Sequence, residues 1–200
     1  MRRLLLAAAL AVATIAPATI AHAQSDSLIG RILRAGEPAN ERSAYARSDR
    51  SPIRRQTVRL DGYAANTIIV DTSERRLYYT LGGGKAMKYG VGVGRDGFTW
   101  SGTNRVSRKA EWPGWTPPPQ MIRREAKKGR KLPAYMPGGP NNPLGARALY
   151  IGSTIYRIHG TNQPWTIGQA MSSGCIRMAN DDVIHLYNQV GVGTKVVVRH

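Results

Sequence analysis

Residues 75–81, RRLYYTL, put Leu77, Tyr79 and Leu81 on one face of an extended chain and Arg76, Tyr78 and Thr80 on the other. A repeat of two is the period of a strand with one buried face, and no helix satisfies it. Runs of the same kind surround it. NTIIVD (66–71) is rich in β-branched residues, TSE makes a turn, and TKVVVR (194–199) reads as a closing strand. AMKYGVGVG (86–94) is interrupted by glycines, which signal close backbone packing or bulges. ALYIGSTIYRIH (148–159) reads as a hairpin with a two-residue Gly152–Ser153 loop, glycine standing first, where positive φ is needed.

One stretch of this region carries a helical pattern. In NDDVIHLYNQVG (180–191), Asn180 reads as the cap, Asp181 and Asp182 suit a helix N-terminus, and Gly191 ends the helix. Val183, Leu186, Tyr187 and Val190 form its apolar stripe. The expectation is therefore a mainly β domain over 57–200 with one packed helix near 180–190. Residues 112–147 interrupt it. WPGWTPPPQM and LPAYMPGGPNNPLG hold so many prolines and glycines that no regular element is expected there. A long irregular insert with tryptophans, Tyr135 and methionines reads as a lid.

The N-terminus has the pattern of a signal peptide over 1–23. Arg2 and Arg3 precede the apolar LLLAAALAVATIAPATIA, and AHA offers small residues for cleavage before Gln24. Pro17 and the many alanines make it a poor permanent span, so no membrane span is expected after cleavage. Residues 24–56 read as a basic, largely flexible arm, with a short helix possible in DSLIGRILRAGEP.

The formal charge is +17. In an exported chain this points to anionic envelope polymers or lipid head groups rather than nucleic acid. The densest basic run, RREAKKGRK (123–131), reads either as such a contact or simply as a solvated face.

Export also places the chain where structural cysteines pair, yet Cys175 is the sole cysteine. It is then a buried inert thiol, an intermolecular bridge or a reactive nucleophile. A nucleophilic thiol needs a base. His22 leaves with the signal, His200 is terminal, and His185 sits off the apolar stripe and reads as a surface residue. His159 remains, at a strand end in RIHGTNQPW. The residual histidines have no ligand spacing, so neither a metal nor a cofactor is implied.

YRIHGT lies ahead of SSGCIRM, with His159 sixteen positions before Cys175. Together with YGVGVGRDGFTWSG, NPLGARALYIG and VGTKVVV, these motifs resemble the L,D-transpeptidase family with its YkuD-type catalytic domain over 57–200. The resemblance implies a β-sandwich or barrel-like fold and an exported enzyme acting on peptidoglycan stem peptides, in the periplasm of a Gram-negative bacterium. Cys175 would attack the carbonyl between the third and fourth stem residues, release D-alanine, and pass the acyl group to an amine of a neighbouring stem. Water as acceptor would make an L,D-carboxypeptidase, and a lysine acceptor would attach a protein to the wall. A non-catalytic wall-binding module is the rival from another class.

His159 would move the protons, its tautomer fixed by a backbone carbonyl such as that of Gly160. Amides around Gly174 and Cys175 would face the oxyanion. Arg177 would hold a substrate carboxylate or pair with Asp181 or Asp182. Trp165, Tyr156 and Trp112 are candidates for the cleft wall. Where the family often has a second histidine this chain has Ser173, whose hydroxyl can donate to an oxyanion but cannot carry a proton.

Overall fold

The computed structural model describes residues 49–200. The expected signal peptide, the short helix within 26–38 and the arm up to residue 48 lie outside the described residues. Strand β1 is Gln56–Arg59, β2 Thr67–Asp71, β3 Arg76–Gly82, β4 Lys85–Gly90, β5 Val93–Gly94 and β6 Gly102–Glu111. They are followed by β7 Arg147–Ile151, β8 Arg157–His159, β9 Ala170–Ser172, β10 Ile176–Arg177 and β11 Lys195–Arg199. Nine strands join in the order β1-β4-β3-β2-β11-β6-β7-β8-β10, while β5 and β9 form a separate pair.

The ten-residue strand β6 is the corner of this sheet. Residues 102–105 pair with β11, and Val106–Glu111 pair with β7 across a register shift at Val106–Arg108. One apolar core joins both halves: Ile68, Leu77 and Tyr89 from one, Leu149, Ile158 and Ile176 from the other. A sheet whose two ends share a core has folded over on itself, as a sandwich or barrel does. The mainly β expectation holds.

In β3 the alternation runs true through Leu77 and Tyr79, which are buried, and then breaks. Leu81 is 45% exposed and Thr80 is buried, the reverse of the reading from period. The cause is a register shift between Thr80 and Gly82 opposite β4. The buried hydroxyl is satisfied, donating to the Ala64 carbonyl at 2.6 Å and accepting from the Thr67 N–H at 2.9 Å.

The 148–159 hairpin forms, but its loop is longer than two residues. Tyr150 pairs with Arg157 and the Ile151 N–H donates to the Tyr156 carbonyl, leaving Gly152–Ile155 as the connection. Thr154 is the reason. Its hydroxyl donates to the Ile151 carbonyl at 2.6 Å and accepts from the Tyr156 N–H at 3.1 Å, taking the place of a direct ladder rung.

Among the described residues two α-helices are present where one was expected. The C-terminal helix α2, Asn180–Gln189, buries Val183 and Leu186 and packs on β7. The other, α1 (Pro119–Ala126), lies inside the insert. The proline run permits it because Pro119 opens the helix, where its missing N–H costs nothing. Two residues of α2 also differ from expectation. Asn180 makes no cap; the N-cap is Ala179, without a side-chain bond. His185 is half-buried, with Nδ1 hydrogen-bonded at 2.7 Å to the hydroxyl of the buried Tyr89.

Residues ahead of β1 lie against this fold. Arg55 pairs with the buried Asp182 at 2.9 Å, and Asp49 accepts from Asn180 Nδ2 at 2.8 Å.

Candidate active site

Strands β8 and β10 run parallel, with Ile176 opposite Ile158 and Arg177 opposite His159. Cys175, just ahead of β10, continues that register to Arg157. Side chains two residues apart on a strand share a face, so Arg157, His159, Cys175 and Arg177 stand on one face of two adjacent strands. All four line one narrow cavity of about 80 Å³. Trp115, Pro118, Met121, Pro143 and Leu144 from the insert line it as well.

The turn before the cysteine is held from three sides. Ser172 Oγ donates to the Cys175 carbonyl at 2.6 Å and accepts from the Gly174 N–H at 3.1 Å. Trp100 Nε1 donates to the Gly174 carbonyl at 3.0 Å, and its ring stacks on Tyr156 with centroids 4.7 Å apart. Gly174 has φ +105, and a Cβ there would lie 2.4 Å from Tyr156 Cε1. The half-buried thiol has the Ile155 carbonyl 4.0 Å away. Burial pushes the Cys175 thiol up, opposed by the Arg157 backbone N–H, by the charge and side-chain hydrogen bond of Arg157, and by the Arg177 charge.

His159 is 4% exposed and its Nδ1 lies 2.6 Å from the Gly160 carbonyl. A carbonyl only accepts, so Nδ1 carries the proton and Nε2 is left with its lone pair. Burial, with the Arg177 and Arg157 charges, pushes the imidazole down to about 3, against the Gly160 and Leu144 carbonyls. At neutral pH the resting pair is therefore a thiol and a neutral imidazole.

A pH profile checks this. The acylation kcat/KM should be flat between about pH 5 and 8, with no inflection near the ordinary histidine value. Stability carries the same signature. Below about pH 6.5 the unfolded histidine takes up a proton that the folded one refuses until about pH 3. Stability should thus fall through that window, by up to about 1.4 kcal/mol per pH unit from this group. Replacing His159 by Asn should flatten the slope in denaturant titrations.

Reading from sequence missed the part played by Asn180. Its Oδ1 accepts from the Ala146 N–H at 2.9 Å and the Thr161 N–H at 3.3 Å, bracing the Gly160 loop that orients His159. An asparagine before a helix gives the same signal whether it caps or braces. Asn180→Ala leaves two buried N–H groups unpaired and should cost about 2–4 kcal/mol in urea unfolding.

Other expected site residues fall in several places. Tyr156 lines the cavity beneath Gly174. Ser173 lines it too, and its Oγ accepts from Arg124 Nη2 of α1 at 3.3 Å. The basic run is thus not all solvated face, because Arg124 turns inward. Asp182 is engaged by Arg55 and not by Arg177, while burial pushes Arg177 down. Trp165, 65% exposed, lines a separate cavity bounded by Asp49–Pro52 and Asn162. Trp112 lines neither cavity; Trp115 occupies the wall instead.

Residues 65–198 match the L,D-transpeptidase catalytic domain family, YkuD. The chain belongs to this family. Probable L,D-transpeptidase ErfK/SrfK of Escherichia coli K12 is 44% identical over 136 residues, covering 66% of this chain and 43% of that protein. The chain thus spans less than half the length of that relative. A solved structure from Brucella melitensis, described as a probable carnitine operon oxidoreductase, is 45% identical and covers 75% of this chain and 96% of that one, with a TM-score of 0.50. The catalytic domain of the E. faecium L,D-transpeptidase acylated by ertapenem is 21% identical. It covers 69% of this chain and 100% of that one with a TM-score of 0.51, which is a likeness of fold. The mostly β fold is accordingly shared with these solved structures.

Proposed function

We propose that this chain is an exported L,D-transpeptidase that works in a Gram-negative periplasm on peptidoglycan tetrapeptide stems. The observation that carries the reading is the placement of the lone thiol and a buried neutral imidazole on one face of paired strands, in one insert-covered cavity. His159 Nε2 takes the thiol proton as Cys175 Sγ bonds to the carbonyl carbon of the third stem residue. The bond to the fourth residue then breaks, and His159 returns the proton to the departing amine of D-alanine. An amine of a second stem reverses these steps, breaking the C–S bond and making a cross-link between two third residues.

The Gly174 N–H is already engaged by Ser172 Oγ, so the Cys175 amide and the Ser173 hydroxyl are the donors left for the oxyanion. Ser173 can do this because its oxygen accepts from Arg124 and its proton stays free. Arg177 holds a donor carboxylate, and the exposed basic residues of 123–131 meet the anionic wall. With water as acceptor, the same thioester gives an L,D-carboxypeptidase. The redox name of the Brucella structure is not carried over, because the family match and the thiol–imidazole pair both support acyl transfer.

The test is intact-mass analysis of the protein with a disaccharide tetrapeptide. An adduct lacking the terminal alanine is expected, and its fate with and without a stem amine separates transfer from hydrolysis. A folded, reduced protein that neither forms the adduct nor turns the stem over would overturn the reading.

A further inference from the structure

Arg157 stands beside Cys175 with no part in the proton transfer. The parallel register sets it opposite the nucleophile, and it lines the same cavity. Its Nε is buried without a hydrogen-bond partner, while the rest of its guanidinium reaches the Cys175 sulfur. Its guanidinium lies 5.2 Å from the ring centre of Tyr150, its partner across β7 and β8, which props it on the site's face. The buried carboxylates are engaged elsewhere, Asp71 by Arg199 and Asp182 by Arg55, and among the described residues none pairs with Arg157. A partly buried cation without an anion is costly, and one that faces a ligand cavity is completed by a ligand's anion.

We propose that Arg157 binds the α-carboxylate of whichever residue sits on the nitrogen side of the reacting bond. This rests on the transpeptidase reading above and says what its donor and acceptor must carry. Neighbouring strands lie about 4.8 Å apart, so a guanidinium rooted opposite Cys175 reaches the ground just beyond the sulfur. In the donor, the carboxylate of the leaving D-alanine is three bonds from the carbonyl carbon that sulfur attacks. A carboxylate farther out on the third residue falls to Arg177, one pair along the same face.

The two half-reactions place the same group there. In the first, the C–S bond forms, the C–N bond breaks, the nitrogen takes the proton from His159, and D-alanine leaves with its carboxylate. In the second, an amine whose own carbon bears a carboxylate forms the new C–N bond. The C–S bond breaks and the amine proton returns through His159 to sulfur. One cation thus reads both the residue that leaves and the residue that replaces it.

The test compares a tetrapeptide stem bearing a free C-terminal carboxylate with its C-terminal carboxamide, on the full chain and on Arg157→Gln and Arg157→Lys. Acylation kcat/KM is followed by intact mass, with melting curves as the check on folding. The natural protein should favour the acid by about tenfold to a hundredfold, the range of a charge-assisted pair. In R157Q the acid-to-amide ratio should fall towards one, and R157K should recover part of it. A ratio unchanged in R157Q, or no preference in the natural protein, would overturn the inference and leave the transpeptidase reading standing. An equal loss with both donors would place Arg157 on the thiol alone and also overturn it. Absence of any adduct from the natural protein would remove both readings.

Discussion

Cys175→Ala is expected to abolish adduct formation with a tetrapeptide stem, lowering acylation at least about a thousandfold, while the protein stays folded. The two halves of this result have separate causes. Chemistry is lost because no other thiol exists in the chain, and His159 can only serve a nucleophile. Folding survives because the thiol's own hydrogen bond, to the Ile155 carbonyl, is 4.0 Å long and contributes little. The turn that presents the cysteine is held through main-chain atoms and the Ser172 hydroxyl, and these remain. Stability should change by less than about 1 kcal/mol in urea unfolding. Intact mass and a melting curve on the same sample check both halves. An adduct in the variant would move the nucleophile to another side chain.

Gly174→Ala is expected to damage activity and stability together. The position has φ +105, outside the range that alanine adopts without strain, and the new Cβ would sit 2.4 Å from Tyr156. Tyr156 cannot retreat freely, because it stacks on the Trp100 ring whose N–H holds the Gly174 carbonyl. The expected cost is about 2–4 kcal/mol, with acylation falling at least about a hundredfold as the thiol shifts from its place opposite Arg157. Gly191→Ala is the control. Its Cβ would meet nothing within 4 Å and its φ is not positive, so it should leave both quantities near those of the natural protein.

Much of the fold was legible because strands with one buried face announce themselves by period, as residues 76–79 do, and buried ones by β-branched runs, as residues 67–71 do. The failures share a cause. At Thr80, Thr154 and Asn180, polar side chains bond to backbone groups distant in sequence or take the place of a ladder rung. Local pattern does not encode which backbone group a hydroxyl or amide will meet. Helix α1 was hidden by the prolines that start it.

For the site, Cys175 and His159 were legible as types of residue, and the Gly160 carbonyl as the partner of the imidazole. Arg157 was not, since an arginine in YRIHGT has no meaning until β10 is laid beside β8. The inward turn of Arg124 was equally invisible within a run of six basic residues.

The position of β11 has a consequence for how the molecule is made. The last strand in chain order lies in the middle of the large sheet, between β2 and β6, and is parallel to β2. During synthesis the two halves of the sheet must wait, unjoined, until Lys195–Arg199 has been delivered. Contacts of such long sequence separation form slowly. The two halves of the sheet therefore join late, only once β11 has settled between β2 and β6.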